Sequence, residues 1–398
     1  MAFDTPEQKS ILQKSLDQVL PTTTDETNPN FAPGVVFGVT NSKETVYLEA
    51  SGVANLETKE PISIDSIFSI FSCTKAITAL AVLQLVEKGL VDLDAPASNY
   101  LPKLEKLKVY KGKDDKGESI WEEAKTAITT RMLLTHTAGF SYSFFHEEYA
   151  RIRKENGDLC IFDIRDNLFD EAFLVNQPGE KWHYGLNLDF VGKIVEAVSK
   201  QSLGEYMKKN IFEPAELDSF TFHLKPDQKL VTIHYREGDK VVLNSFQAIK
   251  DPLHDLGGSG VFGQVNDYLK FIRIWLNKGV ADNGNRLLKE ETVKLALLAQ
   301  WTEGVGILES FEPEILNSLP DKGVVTDWWS LPFSINAIDF PTGRPKGSFH
   351  WAGIANLYYW IDTENGIGGF YASQILPFME RSVENLVKLE STVYANLK

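Results

Sequence analysis

Ser72-Cys73-Thr74-Lys75 is the tetrapeptide best placed to do chemistry, because it opens a long apolar run whose spacing predicts a helix. On such a helix Ser72 and Lys75 share one face, so the amine can reach the hydroxyl it would help deprotonate. The free backbone N–H groups and positive dipole end at a helix start favour the oxyanion of an acyl-transfer intermediate. A Ser-x-x-Lys string arises by chance about once or twice in a chain this long, and Ser72 could serve only as an N-cap. The tetrapeptide alone therefore leaves both roles open.

Rival chemistries are weaker. Gly139-Phe-Ser141-Tyr-Ser143 and Gly257-Gly-Ser259-Gly-Val261 both lack the closing glycine of an esterase nucleophile elbow. With no Lys following, the Gly257–Gly260 stretch reads as a tight turn and not as a phosphate loop. His146-Glu147-Glu148 lacks the second histidine of a zinc helix, and the seven histidines are scattered, so no metal site is expected. Cys73 is expected to pack as a small hydrophobe, and Cys160 to be an exposed thiol.

Further segments follow in order: Arg131-Met-Leu-Leu-Thr-His136-Thr-Ala-Gly139, Pro178-Gly-Glu-Lys-Trp182-His-Tyr184-Gly, Gly257-Gly-Ser-Gly-Val-Phe and His350-Trp-Ala-Gly353. With the Ser72 tetrapeptide they resemble the serine β-lactamase-like superfamily, in the branch that holds class C β-lactamases, D-Ala-D-Ala carboxypeptidases, β-lactamase-like carboxylesterases and the fungal acyltransferase of the lovastatin pathway. The resemblance runs from about Gly34 to Gln374. It implies that Ser72 is a nucleophile forming an acyl-enzyme, that Lys75 is its partner in proton transfer, and that Tyr184 shuttles the proton to the leaving group. It also implies an oxyanion hole from the backbone N–H groups of Ser72 and Ile354, and a substrate-lining strand through Trp351, Ala352 and Gly353. A phenol with pKa about 10 is a poor base at neutral pH unless a nearby ammonium stabilises its anion, which a close lysine would do.

Two departures narrow the substrate. Trp351 stands where the lactamases carry the lysine that receives the β-lactam carboxylate, which replaces a charge with an apolar wall and favours neutral or hydrophobic esters. Leu186 stands where they carry the asparagine of Tyr-x-Asn, and it cannot hydrogen-bond a substrate amide; Asn187 falls one residue late and could substitute only through a bulge. His350 is expected either to touch substrate or to point to the opposite face. His136 is expected to fix its segment through hydrogen bonds.

The elements that must position these groups are readable in outline. Ile11, Leu12, Leu16, Val19 and Leu20 predict a helix over 5–20. Gly34–Thr40 and Thr45–Gly52 predict a hairpin through Asn41-Ser42-Lys43. The helix after Ser72 should end near Gly89, where a left-handed φ is allowed. Two aromatic-rich runs joined by an Asp362–Gly366 turn, and a helix over about 380–395, close the chain. The expected fold class is α/β and β-lactamase/transpeptidase-like: a mostly antiparallel sheet flanked by N- and C-terminal helices, with an α-helical cap. We divide it into a discontinuous α/β domain, 1–95 and 205–398, and a helical cap, 96–204, with a polar loop-like stretch between Tyr142 and Gln177. Phe144, Phe145, Tyr149, Ile161, Phe162 and Phe169 in that stretch either line an apolar acyl pocket or form the cap's own small core.

Forty Lys plus Arg against 55 Asp plus Glu leave a net charge of −15, which repels phosphate backbones and anionic lipid; no nucleic-acid or membrane partner is expected. Two cysteines make no disulfide framework, and the opening residues show no signal sequence, so the expected location is cytoplasmic. Three function classes remain: a serine carboxylesterase, an acyltransferase moving an acyl group from an ester or thioester donor (an acyl-carrier protein or coenzyme A) to a natural-product alcohol, and a catalytically silent scaffold. None needs an organic cofactor.

Overall fold

The computed structural model describes residues 2–155, 169, 172–305, 310, 312, 315–316 and 327–397. Gly34–Asn41 (β1) is buried at every position, as a strand covered on both faces must be. The Asn41 side-chain oxygen accepts the N–H groups of Lys43 (2.8 Å) and Glu44 (2.9 Å), and this turn returns the chain as Thr45–Asn55 (β2) and then Glu60–Pro61 (β3). The remaining strands of the sheet come from the far end of the sequence: Trp328–Trp329 (β4), Ser334–Ile335 (β5), Phe349–Gly353 (β6), Leu357–Asp362 (β7) and Ile367–Ala372 (β8). They form one antiparallel sheet in the order β4-β5-β6-β7-β8-β1-β2-β3, so both ends of the chain meet at the β8–β1 pair. The first aromatic-rich run is thus two strands, not one. It breaks at Ile354-Ala355-Asn356, where Asn356 takes φ +59°. Because Ala355 and Asn356 are fully buried, no polar exposure marks that turn in the sequence.

Period-two alternation gives the sheet two apolar faces. Val35, Phe37, Val39, Trp360 and Tyr371 pack with Leu12 and Leu16 of Pro6–Val19 (α1) and with Leu389 and Val393 near the C-terminus. Thr5 caps α1 in a reciprocal pair with Gln8: the Gln8 N–H donates to Thr5 Oγ1 and the Thr5 N–H to Gln8 Oε1, both at 3.2 Å. On the other face Val36, Tyr359, Ile361 and Phe370 share a core with Thr74–Glu87 (α2). Every residue of α2 from Thr74 to Leu85 is buried, which is why its sequence reads apolar all round.

The stretch 96–204 was expected to be helical, yet it also contains a hairpin, Lys108–Lys113 with Ser119–Glu123. Lysines and glutamates occupy both sides of these largely exposed strands, so they carry no apolar alternation to read. Among the described residues its α-helices include the short Thr130–Leu134 (α3) and the longer Glu147–Glu155 (α4) and Asn187–Ser199 (α5). The second of these falls in the stretch expected to be a loop, and Arg151 joins it internally by ion pairs to Glu148 and Glu155. Leu133, Phe140, Phe190 and Val191 belong to the same apolar cluster as Ile77 and Leu80, so this segment packs directly against α2. Cys160, Ile161 and Phe162 lie outside the described residues. Val265–Leu276 (α6) covers the sheet beside α2, and Gly38 admits it, since a Cβ there would sit 2.6 Å from Leu269. Val383–Ala395 (α7) completes the layer around α1. Among the described residues no helix is long and apolar enough to cross a membrane.

Candidate active site

Ser72 lies in a single 3-10 turn, Phe71–Cys73, that runs directly into α2. The residue before it, Phe71, takes φ +45°, a conformation that is strained for a bulky side chain and holds Ser72 at the sharp entry to the helix. Ser72 stays partly exposed while Cys73 is fully buried, as expected of a small hydrophobe. Lys75, one turn on, is 2% exposed. Its Nζ donates to Ser72 Oγ (3.0 Å), the Tyr142 hydroxyl (3.0 Å) and the Gly258 carbonyl (2.8 Å). Burial pulls the ammonium down to about 7, against the attraction of the Asp189 carboxylate.

Tyr184 arrives from the segment before α5, more than a hundred residues away in sequence, and its ring centroid lies 4.5 Å from Lys75 Nζ. The Trp351 indole N–H donates to its hydroxyl at 2.9 Å. Burial pushes this phenol up, and the hydrogen bonds from Ser72 and Trp351, which favour the anion, do not offset it. The expected condition for a phenolate base is therefore unmet, and the amine is the group whose proton affinity suits neutral pH. Tyr184 is enclosed by aromatic rings, with His136 at 4.7 Å, Trp351 at 5.1 Å and Phe145 at 6.3 Å between centroids. Phe144 stacks on Tyr142 at 5.2 Å. Of the cap aromatics, Phe144 and Phe145 thus adjoin the site, whereas Tyr149 stacks on Phe173 and Phe169 packs on Phe190.

The strand β6 brings Trp351 to the same place. Its partner β5 pairs only with Phe349 and His350, so among the described residues the edge from Trp351 to Gly353 carries no ladder partner on that side. A Cβ on Gly353 would meet the Ile70 carbonyl at 2.6 Å, and glycine is what lets the strand end abut the turn that holds Ser72. Ile354 follows directly after that glycine and is partly exposed. Strand alternation turns the neighbours of Trp351 away: Ala352 packs toward the core of the opposite face, and His350 Nε2 pairs with Asp327 Oδ2 at 2.8 Å. His350 thus takes the second of its two expected positions, and the Ala352 side chain turns to the face opposite Trp351. Leu186 is 2% exposed at the N-cap of α5 and is core-facing. Asn187 does not replace a substrate-binding amide, because it is fully buried with Nδ2 on His136 Nδ1 (3.1 Å) and the His183 carbonyl (3.2 Å). That bond, with the His183 N–H donating to the His136 carbonyl at 2.7 Å, ties the His136 segment to the one bearing Tyr184. Burial pushes the His136 imidazolium well down and keeps the ring neutral.

Three members of the site were not singled out from sequence: Tyr142, Asp189 and the Gly258 carbonyl. Asp189 Oδ1 accepts the Gly258 N–H at 2.8 Å, and the Tyr142 hydroxyl donates to Oδ2 at 3.4 Å. A Cβ on Gly258 would lie 2.4 Å from that carboxylate, so the glycine turn is shaped to receive it. The readable signal was Asp189 itself, an acid set between the apolar residues Leu188 and Phe190 at the start of a buried helix. The rival Ser141 does other work. Ser141 is fully buried and bonds His183 Nε2 at 2.9 Å, which clasps the residues preceding Tyr142 and Tyr184. Among the described residues no three His, Cys, Asp or Glu side chains gather as metal ligands.

The chain is similar to the monacolin J acid methylbutanoyltransferase of Aspergillus terreus, with 30% identity over 358 residues covering 84% of this chain and 83% of that one. It is likewise similar to the lovastatin esterase of Penicillium rubens, with 30% identity over 349 residues, 83% of this chain and 86% of that one. In structure it superposes on a mutant form of simvastatin synthase from Aspergillus terreus with a TM-score of 0.79 and 26% identity, covering 96% of this chain and 94% of the other. These likenesses extend to the β-lactamase/transpeptidase-like fold of penicillin-binding protein homologues. The β-lactamase family model matches residues 26–392, nearly the whole chain, and the chain belongs to that family.

Proposed function

We propose that the protein is a serine hydrolase that cleaves neutral or hydrophobic carboxylic esters through an acyl-Ser72 intermediate. The observation that carries this reading is the convergence on Ser72 Oγ of a buried amine at 3.0 Å and of a phenol that receives the Trp351 N–H. In acylation Ser72 Oγ attacks the ester carbonyl while Lys75 Nζ takes its proton. The Ser72 and Ile354 backbone N–H groups hold the oxyanion, and the Tyr184 phenol protonates the departing alkoxide and is resupplied from Nζ. One proton therefore passes from serine to leaving alcohol, and the same groups run in reverse when water attacks the acyl-enzyme. With Trp351, Tyr184, Phe144 and Phe145 as walls and no cation in the lysine position of the lactamases, the cleft suits an uncharged acyl group.

A second reading, acyl transfer, draws its support from the methylbutanoyltransferase named above. There an acceptor alcohol replaces water, and the donor is an ester or a thioester on coenzyme A or an acyl-carrier protein. A panel of p-nitrophenyl esters of rising chain length beside nitrocefin tests the hydrolase. Cleavage of short and medium esters with little or no turnover of nitrocefin is expected, and the reverse ranking would overturn it. Partition of the acyl group between water and added alcohols separates the two readings, since product from water alone removes the transferase.

A further inference from the structure

Lys75 Nζ has three oxygen neighbours within 3.0 Å, and only one of them, the Gly258 carbonyl, is obliged to accept. The hydroxyls of Ser72 and Tyr142 can each accept or donate, so the direction of the amine's lone pair is not fixed by these three alone. A hydroxyl proton of Tyr142 aimed at Nζ would occupy the lone pair that the attack of Ser72 requires. Behind Tyr142 lies the Asp189 carboxylate, 3% exposed, with one oxygen on the Gly258 N–H and the other facing the Tyr142 hydroxyl. A carboxylate can only accept.

We propose that Asp189 is a positioning residue that draws the Tyr142 proton to itself, fixes Tyr142 and Gly258 as acceptors of the two Lys75 N–H bonds, and so leaves the amine lone pair facing Ser72. The inference rests on the acyl-Ser72 reading and deepens it. When Ser72 Oγ bonds the acyl carbon, its proton goes to that lone pair. The resulting ammonium has three N–H donors directed at Gly258, Tyr142 and the Ser72 oxygen. The other groups facing Nζ are Tyr184, His136 and Cys73. Burial keeps the imidazole and the thiol uncharged; it also raises the Asp189 carboxyl, while the Lys75 charge and the hydrogen bonds from Gly258 and Tyr142 favour its anion. Tyr142 is held as a phenol by burial and by the same carboxylate.

Asp189→Asn and Tyr142→Phe test this against wild type and Ser72→Ala, with the pH profile of kcat/KM for a p-nitrophenyl ester and thermal unfolding as readouts. Both variants are expected to lower the plateau about 10- to 100-fold and to move the acidic limb to lower pH, because the ammonium loses an anion in one and an acceptor in the other. A merely structural contact would lower the plateau and leave the limb in place, and that result overturns the proposal, as does a plateau within about two-fold of wild type. Tyr142→Phe keeps the Asp189 bond to Gly258, so it decides the matter if Asp189→Asn fails to fold. Hydrolysis that survives Ser72→Ala would refute the acyl-Ser72 reading, whereas loss in Ser72→Ala with unmoved limbs in the other two refutes the role of Asp189 alone.

Discussion

Lys75 holds a proton poorly in the folded protein, and that has a measurable thermodynamic consequence. Its pKa falls from 10.5 to about 7 because the side chain is buried. Below pH 7 both folded and unfolded chains bind the proton and the cost of carrying it inside is fully present. Between pH 7 and 10.5 the folded chain has released it while the unfolded chain keeps it, so stability rises with pH through that window. At about 1.36 kcal/mol per pKa unit, the full penalty below pH 7 is about 5 kcal/mol, and about 2 kcal/mol of it is relieved between pH 7 and 9. Lys75→Met keeps a long apolar side chain and removes the titration. Urea unfolding of both proteins at pH 7 and pH 9 should show wild type gaining about 2 kcal/mol relative to the variant over that interval. The variant should have no esterase activity at either pH. Equal pH dependence in the two proteins would mean that Lys75 is as easily protonated in the fold as in water, which would refute its assignment as the base.

Trp351→Phe removes the N–H that donates to Tyr184 at 2.9 Å but keeps an aromatic wall, and kcat/KM for a neutral ester should fall about 2- to 10-fold, the worth of one hydrogen bond; an unchanged value would show that the bond does not serve the reaction. Gly353→Ala places a Cβ 2.6 Å from the Ile70 carbonyl and forces β6, with Ile354, away from Ser72. The loss should appear in kcat, at about 100-fold or more, with a smaller change in KM, and steady-state kinetics showing a change in KM alone would contradict the oxyanion role.

How much of this was legible in the sequence depended on whether burial left a periodic trace. The hairpin at Asn41, α1 and the end of α2 near Gly89 follow from turn chemistry and spacing, and Gly89 does take a positive φ of +67°. The Lys108–Glu123 hairpin did not show, because lysines and glutamates on both sides of its strands leave Val109 as a lone buried position with no apolar alternation around it, and the turn at Asn356 did not show because it is buried. In the site, spacing could pair Ser72 with Lys75 on one helix, but nothing local could say that Tyr142 and Asp189, 47 residues apart within the 96–204 stretch, would meet beside Lys75. Nor could it say which face of β6 each residue takes: Trp351 and His350 are adjacent in sequence and point to opposite sides of the sheet.

The central claim is that Ser72 carries the acyl group. Rapid acid quench during turnover of a slow p-nitrophenyl ester, followed by mass spectrometry of the intact protein and its peptides, tests it directly. We expect a mass increase equal to the acyl group, mapped to the peptide containing Ser72 and absent from Ser72→Ala. An adduct on any other residue, or ester turnover by Ser72→Ala at the wild-type rate, would contradict the account.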